Sequence, residues 1–318
     1  MKYSGIGGQA VIEGIMMMKG EDYAVAVRRP DKEIEVKKDT YQSITKKAKI
    51  LQLPFVRGVF RFADSMIIGM RSLTYSASFF EDDEDAEPGK FEQFLDRVFG
   101  EKLESAIMAA VLVISFILAI GIFMLLPLGI ANLFKGVITS DHLMAVLEGV
   151  IRIAIFIIYI KLVSRMEDIR RTFLYHGAEH KCINCVEHGH PLTVKYVRES
   201  SKEHKRCGTS FILIVMVISI LMFMVIRVDT IWMRILSRII LVPVIAGISY
   251  EVLQCAGRSN SKFMDLVSRP GMWMQGLTTK EPDDSMIEVA IAATEAVFDW
   301  REYLTENFPG WEKQLEES

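Results

Sequence analysis

Residues 106–134 read AIMAAVLVISFILAIGIFMLLPLGIANLF, a run without one charged side chain, and residues 208–226 form a second uncharged run. Either run is long enough to cross the roughly 30 Å hydrocarbon layer of a bilayer as a helix. Residues 143–160 and 231–250 are nearly as apolar and contain few charged side chains. The sequence therefore predicts a mainly α-helical integral membrane protein with about four transmembrane helices, which make up the membrane domain 106–250.

The distribution of lysine and arginine predicts how the spans are oriented. Residues 1–105 carry 16 of the 37 basic residues, the loop 161–207 carries ten and the tail 251–318 carries six. The short loops 136–142 and 227–230 contain one basic residue between them, Arg227. Because basic residues concentrate on the cytoplasmic side of membrane proteins, we expect a multi-pass protein of the cell membrane with both termini and the loop 161–207 in the cytoplasm.

The composition also limits the partners of the chain. A formal net charge of −3 does not indicate nucleic-acid binding. No cleavable signal peptide is expected, because the first apolar run begins only at residue 106. The partners that we predict are the lipid bilayer and other membrane proteins.

Residues 1–50 are predicted to form a small β-rich cytoplasmic unit. Apolar side chains alternate with small or polar ones on both sides of a turn at residues 29–32. The alternating residues are Tyr23, Val25 and Val27 before the turn, and Ile34 and Val36 after it. This alternation is typical of a hairpin.

Residues 51–105 are predicted to contain an amphipathic helix and an acidic linker. Apolar side chains recur at helical spacing between Phe55 and Leu73. Such a helix can lie on the membrane surface or pack on the β-rich unit, and the spacing allows both. Six of the seven residues 81–87 are acidic, which is typical of a solvated linker.

Residues 251–318 are predicted to form a cytoplasmic C-terminal tail with one amphipathic helix. Asp283, Asp284 and Ser285 are suitable N-cap residues for a helix over residues 286–306. Pro309 then ends it.

The loop 161–207 contains five of the six histidines and three of the four cysteines of the chain. They are His176, His180, His188, His190, His204, Cys182, Cys185 and Cys207. Cysteines that cluster beside histidines indicate thiols or metal ligands and not a disulfide framework. We therefore predict that this loop carries the functional site.

His176, Glu179 and His180 fit the pattern H-x-x-E-H. On a helix, two histidines four residues apart share one face and can bind one cation, and the glutamate beside them can act as the general base that activates water. Zinc suits two imidazoles with one further ligand. Cys207, His204 and Glu251 are the candidates for that third ligand. The alternative is a hydrogen-bonded structural network at the membrane surface.

Cys182 and Cys185 have ligand spacing for a structural zinc ion, which His188 and His190 could complete. A second cysteine pair is missing from the loop. The alternative, that these are ordinary loop residues, is favoured.

Charged residues inside the predicted spans form a second candidate site. Glu148 and Arg152 lie four apart on the second span, and Arg238 lies on the fourth. Because charges at bilayer depth are costly, they usually face a partner or a wet cavity. We predict an intramembrane polar network of these three residues; it can be structural, or it can bind an anionic or zwitterionic group such as a lipid headgroup.

Five short segments spread along the chain carry a family pattern: GGQAVIEG at 7–14, YHGAEHK at 175–181, RCGTSF at 206–211, GISYE at 247–251 and LTTKEP at 277–282. With these segments the chain resembles the YqhQ family of bacterial multi-pass membrane proteins, which has no assigned function and whose members are labelled predicted metal-dependent enzymes. The resemblance implies His176, Glu179, His180, His204 and Cys207 as the site. Cys182 and Cys185 are outside the pattern, and His204-Lys-Arg-Cys207 replaces the usual His-Pro-Arg-Cys.

Two classes of function follow. The first is a membrane-embedded metal-dependent hydrolase that acts at the cytoplasmic face on a peptide, lipid or phosphoester, with a divalent metal, zinc by preference, as cofactor. The second is a non-enzymatic membrane factor, either a transporter or an accessory to membrane-protein insertion or lipid handling. The H-x-x-E-H pattern favours the first class, and the charges within the spans favour the second.

Overall fold

A computed structural model describes residues 1–80, 103–226, 230–259 and 261–316 of the chain. The predicted acidic linker 81–87 lies outside the described residues. The chain divides into two compact units. The first comprises Met1–Phe80, Ile160–Met222 and Arg227–Ser318, and the second comprises Glu81–Tyr159 and Phe223–Ile226.

Four strands form an N-terminal sheet: β1 (Ile6–Val11), β2 (Gly14–Lys19), β3 (Asp22–Arg28) and β4 (Ile34–Thr40). The described helices are, in chain order, α1 (Val56–Ala77), α2 (Leu103–Ile120), α3 (Leu126–Asn132), α4 (Asp141–Val163), α5 (Glu167–Glu187), α6 (Val194–Glu199), α7 (Gly208–Val225), α8 (Ile231–Arg258), α9 (Lys262–Thr278), α10 (Asp284–Val297), α11 (Trp300–Asn307) and α12 (Lys313–Glu316).

The sheet is antiparallel throughout, with its strands in the order β1-β2-β3-β4. Val27 of β3 lies opposite Glu35 of β4, which confirms the predicted hairpin. Because successive side chains of a strand point to opposite faces, Met16 and Met17 of β2 belong to different clusters.

Helices cover both faces of the sheet. Ile15 and Met17 pack with Ala178 of α5 and Ile287 of α10 in one buried cluster. On the other face, Met16, Val25 and Val27 form a second cluster with Ile68 of α1. The sheet therefore shares its core with helices that are distant in sequence, such as α10, which begins at Asp284 while β4 ends at Thr40.

Helix α1 packs on the β-rich unit, one of the two arrangements that the sequence left open for residues 51–80. The helix lies on the sheet through Ile68, and its start packs against α8. A Cβ atom on Gly58 would lie 2.7 Å from Tyr250, and one on Gly247 would lie 2.3 Å from the carbonyl oxygen of Phe55. The two glycines therefore let α1 and α8 approach closely.

Four helical stretches are long and apolar enough to cross a membrane: Val113–Asn132, Asp141–Val163, Gly208–Val225 and Leu236–Gly257. The prediction of four candidate spans is confirmed in length and composition. In the first stretch a π-helical segment, Gly121–Leu125, joins α2 to α3 just before Pro127, which has no N–H to donate.

The C-terminal tail differs from its prediction. The single helix expected over 286–306 is wrong, because α10 ends at Val297 and α11 begins at Trp300. Asp299 separates them, since its carboxylate accepts the N–H groups of Arg301 and Glu302 and so caps a new helix. The tail also contains α9, which the sequence analysis did not predict.

Candidate metal centre

Helix α5 carries the H-x-x-E-H motif, and two glycines allow it to be enclosed. A Cβ atom on Gly177 would lie 2.0 Å from the carbonyl oxygen of Lys280, so only glycine fits against that chain segment. A Cβ atom on Gly8 of β1 would lie 2.7 Å from Cγ of Glu179. These close approaches account for Gly8 in the first family segment and Gly177 in the second. The motif is therefore buried between β1 and the segment after α9.

The ligand atoms of His176, His180 and Cys207 converge. One ligand atom from each lies within 4.8 Å of the other two, and Nε2 of His176 is 3.2 Å from Sγ of Cys207. Atoms that bind one zinc ion at about 2.0–2.3 Å lie at most about 4.6 Å apart. The three ligand atoms are therefore close enough together to share one ion.

Backbone carbonyl groups fix the orientation of both imidazoles. Nδ1 of His176 lies 3.0 Å from the carbonyl oxygen of Thr278, and Nδ1 of His180 lies 2.6 Å from that of Lys202. Because a carbonyl oxygen can only accept, each Nδ1 carries the proton and each Nε2 presents a lone pair. Metal-binding histidines are held in this way in known sites. The residues therefore fit a divalent metal.

Polar side chains of α5 also hold the loop that leads to Cys207. Lys181 Nζ donates to the carbonyl oxygens of Arg198 and Ser200 at 2.7 and 2.8 Å. Asn184 Nδ2 donates to those of Ser201 and Glu203 at 2.6 and 2.9 Å. The helix that supplies two candidate ligands thus also positions the approach to the third.

Gln275 of α9 holds the turn before Cys207 from the other side. Its Oε1 accepts the N–H of His204 at 2.8 Å, and its Nε2 donates to the carbonyl oxygen of His204 and to Oγ of Ser210, each at 2.8 Å. Gln275 is completely buried. Gln275 was not among the predicted site residues, because α9 was not predicted from the sequence.

Glu179 lies beside the two imidazoles. Its Oε2 is 3.6 Å from Nε2 of His180 and 3.9 Å from Nε2 of His176. Burial raises the pKa of Glu179 to about 7, although the nearby His176 and Arg206 side chains and the N–H of Gly8 oppose that rise. A carboxylate with a pKa near neutrality is suited to general-base catalysis.

His204 faces a different partner. Its Nε2 lies 3.7 Å from Oε2 of Glu187, and its ring lies 5.7 Å from the ring of His180. Burial lowers the pKa of His204 to about 4. Burial opposes ionisation of Glu187, but His204, Arg206 and the N–H of Ser4 together lower its pKa to about 2. At neutral pH a neutral imidazole therefore lies next to a carboxylate, outside the converging group.

Glu251 is also outside the group. Its two carboxylate oxygens accept hydrogen bonds from Nε and Nη2 of Arg57 at 2.7 and 2.6 Å, and Oε1 lies 3.3 Å from the N–H of Phe55. This pair ties the start of α1 to α8. Of the three candidates for the third ligand, the structure brings Cys207 to the histidines.

The structural zinc site considered for Cys182 and Cys185 does not assemble. Within the described residues, His176, His180 and Cys207 are the one group with converging metal ligands. Burial raises the pKa of both Cys182 and Cys185, that of Cys185 to about 12. Both remain thiols.

His188 and His190 have other partners. Nδ1 of His188 lies 2.8 Å from the carbonyl oxygen of Asn184, and Nδ1 of His190 lies 2.8 Å from Oε1 of Gln314. They cap α5 and attach the C-terminal segment.

Glu148 and Arg152 of α4 form a buried ion pair of 2.7 Å. The Arg152 guanidinium also lies 5.6 Å from the ring centroid of Phe223. Arg238 is buried and belongs to the first unit. Its coupling to the pair stays a prediction.

The apolar helices and the His/Cys cluster define the class: a multi-helix protein of membrane type with a candidate metal site. The chain belongs to the family described as "Protein of unknown function (DUF1385)", whose model matches residues 53–300. It is 34% identical over 286 residues to the "Uncharacterized protein YqhQ" of Bacillus subtilis (strain 168), which covers 90% of this chain and 89% of that relative. The resemblance seen in the sequence is confirmed. No solved structure matches.

Proposed function

We propose that this chain is a multi-pass protein of the cell membrane that binds a divalent metal, zinc by preference, and uses it for hydrolysis at the cytoplasmic face. His176, His180 and Cys207 would hold the ion, and Glu179 would be the general base. The observation that carries the proposal is the pair of Nδ1–carbonyl contacts at Thr278 and Lys202, since they leave both Nε2 atoms available to an ion, and Nε2 of His176 lies 3.2 Å from Cys207 Sγ.

A zinc ion held here would act as a Lewis acid and lower the pKa of coordinated water to about 7. The chain supplies the rest. Glu179 is placed to accept a proton from water beside the two Nε2 atoms, and its burial excludes bulk solvent from the carboxylate. Gly8 leaves room for the Glu179 side chain where any larger residue would displace it.

Metal analysis of the full-length protein in detergent tests the metal site. We expect one tightly bound zinc per chain after purification and dialysis against magnesium. A protein that carries no transition metal, and takes up none when titrated with zinc, would favour the non-enzymatic membrane factor.

Reporter fusions test the proposed orientation, with both termini in the cytoplasm. Fusions after residues 138, 190, 229 and 300 are expected to report outside, inside, outside and inside, because the basic residues are so unevenly distributed. An external signal from the fusion after residue 190 would move the metal centre out of the cytoplasm.

A further inference from the structure

Helix α1 exposes an apolar stripe that the sheet does not cover. Phe62, Met66, Met70 and Leu73 are 46%, 56%, 46% and 40% exposed, and they recur every three or four residues on one side of the helix. The only acidic residue of α1, Asp64, is buried on the opposite side, where Tyr41 and Ser43 donate to its carboxylate.

Helix α9 has a face of the same kind. Phe263, Leu266 and Trp273 are 67%, 60% and 64% exposed, and Lys262 and Arg269 lie among them. The only acidic residue of α9, Asp265, is paired with Lys205. Within the described residues, neither Lys262 nor Arg269 of α9 nor Arg61 of α1 has an acidic partner.

Both helices adjoin the candidate spans at the end nearest the metal centre. The ring of Phe62 lies 5.6 Å from that of Phe211, in the first turn of α7. A Cβ atom on Gly271 of α9 would lie 2.6 Å from Oγ of Ser210 in the same turn. The apolar faces of α1 and α9 are therefore continuous with the start of a span.

We propose that the exposed faces of α1 and α9 lie in the headgroup and upper acyl region of the leaflet on the side of the metal centre, and that their cations gather anionic lipid there. Apolar and basic side chains without acidic ones are the pattern of helices that lie in the membrane interface. A large aromatic residue such as Trp273 favours the same depth. This inference rests on the proposal that the four apolar helices span a bilayer.

Tryptophan quenching by brominated lipid tests the depth. The full chain is reconstituted into phosphatidylcholine nanodiscs with bromine near either the glycerol or the methyl end of the acyl chains. The signal lost on Trp273→Phe reports Trp273, which is expected to be quenched more strongly by the shallow bromine. In the Trp273→Phe background, the tryptophan introduced by Met66→Trp on α1 should also be quenched more strongly by the shallow bromine. The tryptophan introduced by Glu306→Trp, at an exposed position of α11, is the control and should not be quenched.

The remaining tryptophans make the outcomes distinct. Trp300 and Trp311 are buried, whereas Trp232 at the start of α8 is 78% exposed. If Trp232 is quenched and Trp273 is not, α1 and α9 do not lie in the interface and the inference is wrong. In that case, a count of two protein copies per nanodisc would show that a second chain covers their apolar faces. Stronger quenching by the deep bromine also overturns the inference. If Trp232 is unquenched, the spans themselves are not inserted and both proposals fail.

Lipid choice tests the charge. Attraction between one basic residue and anionic lipid is worth about 1 kcal/mol, which corresponds to an enrichment of about fivefold. At the same low fraction, brominated phosphatidylglycerol should therefore be more enriched near Trp273, and quench it more strongly, than brominated phosphatidylcholine. Lys262→Gln with Arg269→Gln should remove the difference, and Lys313→Gln, an exposed cation of α12, should leave it. Equal quenching by both lipids in the unmodified protein would contradict the selection of anionic lipid.

Discussion

The cluster at His176 and the ion pair at Glu148 both place ionisable groups among apolar residues, but they are built differently. The pair lies on one helix, four residues apart, and its carboxylate and guanidinium bond to each other directly. The cluster joins His176 and His180 of α5 to Cys207, which follows His176 by 31 residues. Its nitrogen and sulfur atoms converge on one another.

The difference bears on which of the two is suited to bind a cation. Opposite charges at bonding distance neutralise each other, so the pair is compatible with a purely structural role. The imidazole nitrogens and the sulfur of the cluster face each other with lone pairs, and such atoms attract one another only through a proton or a cation between them. The Nδ1 contacts and the loop held by Lys181 and Asn184 act together to maintain that convergence.

His180→Ala is expected to have the largest effect, because it breaks the convergent site. Two remaining ligands hold zinc poorly, so the metal content should fall from one per chain to nearly none, and function should be lost with it. His188→Ala is the matched control, since His188 is an exposed residue of the same segment. Full metal content in His180→Ala would remove His180 from the site.

Glu179→Gln should separate metal binding from chemistry. The amide keeps the shape of the side chain but cannot accept a proton, so activity should fall by about 10²–10⁴-fold while the metal remains. Complementation normalised to the amount of protein in the membrane, with metal content measured in parallel, gives the result. Complete complementation would end the hydrolase proposal and leave the metal site standing.

Glu148→Leu tests the contribution of the Glu148–Arg152 ion pair to stability. It leaves the Arg152 guanidinium without the carboxylate that bonds it, and a charge at bilayer depth costs about 2.5–3.5 kcal/mol on insertion scales. Yield and thermal stability should fall, and Glu148→Leu with Arg152→Leu should recover much of the loss. The addition of Arg238→Leu measures the predicted coupling to α8. Unchanged stability in Glu148→Leu would mean that the pair contributes nothing.

Gln275→Leu should have the smallest effect and sharpen the account of the convergent site. It leaves the N–H and C=O of His204 without their buried partner and loosens the turn before Cys207. Loss of such a supporting group typically lowers metal affinity by 10–100-fold, so zinc should still bind at higher concentration. Gln314→Leu removes an amide bonded to His190 and is the control. Equal affinity in both variants would show that Gln275 does not position the site.

Local spacing made part of this site predictable. His176, Glu179 and His180 lie within one turn of a helix, so the pattern alone brings them together. The hairpin of β3 and β4 and the four apolar helices likewise follow from periodicities of a few residues. The choice of Cys207 over His204 and Glu251 could not be predicted, because it depends on Glu187 and Arg57, partners distant in sequence.

Three further features could not be predicted from local spacing. Pro270, Gly271 and Gly276 are typical of loops, yet α9 runs through them, and Gln275 was missed for that reason. The break between α10 and α11 falls at Asp299, in a segment whose apolar spacing continues across it. Both faces of the sheet are apolar, so the sequence does not indicate which helices cover each face. In the structure α1 covers one face, and α5 and α10 cover the other.

The core shared by the sheet and α10 has a consequence for synthesis. At 5–20 residues per second, α10 leaves the ribosome roughly 13–50 s after β3. For all of that time Ile15 and Met17 lack one of the helices against which they pack. This face of the sheet therefore completes its core only when α10 has been made.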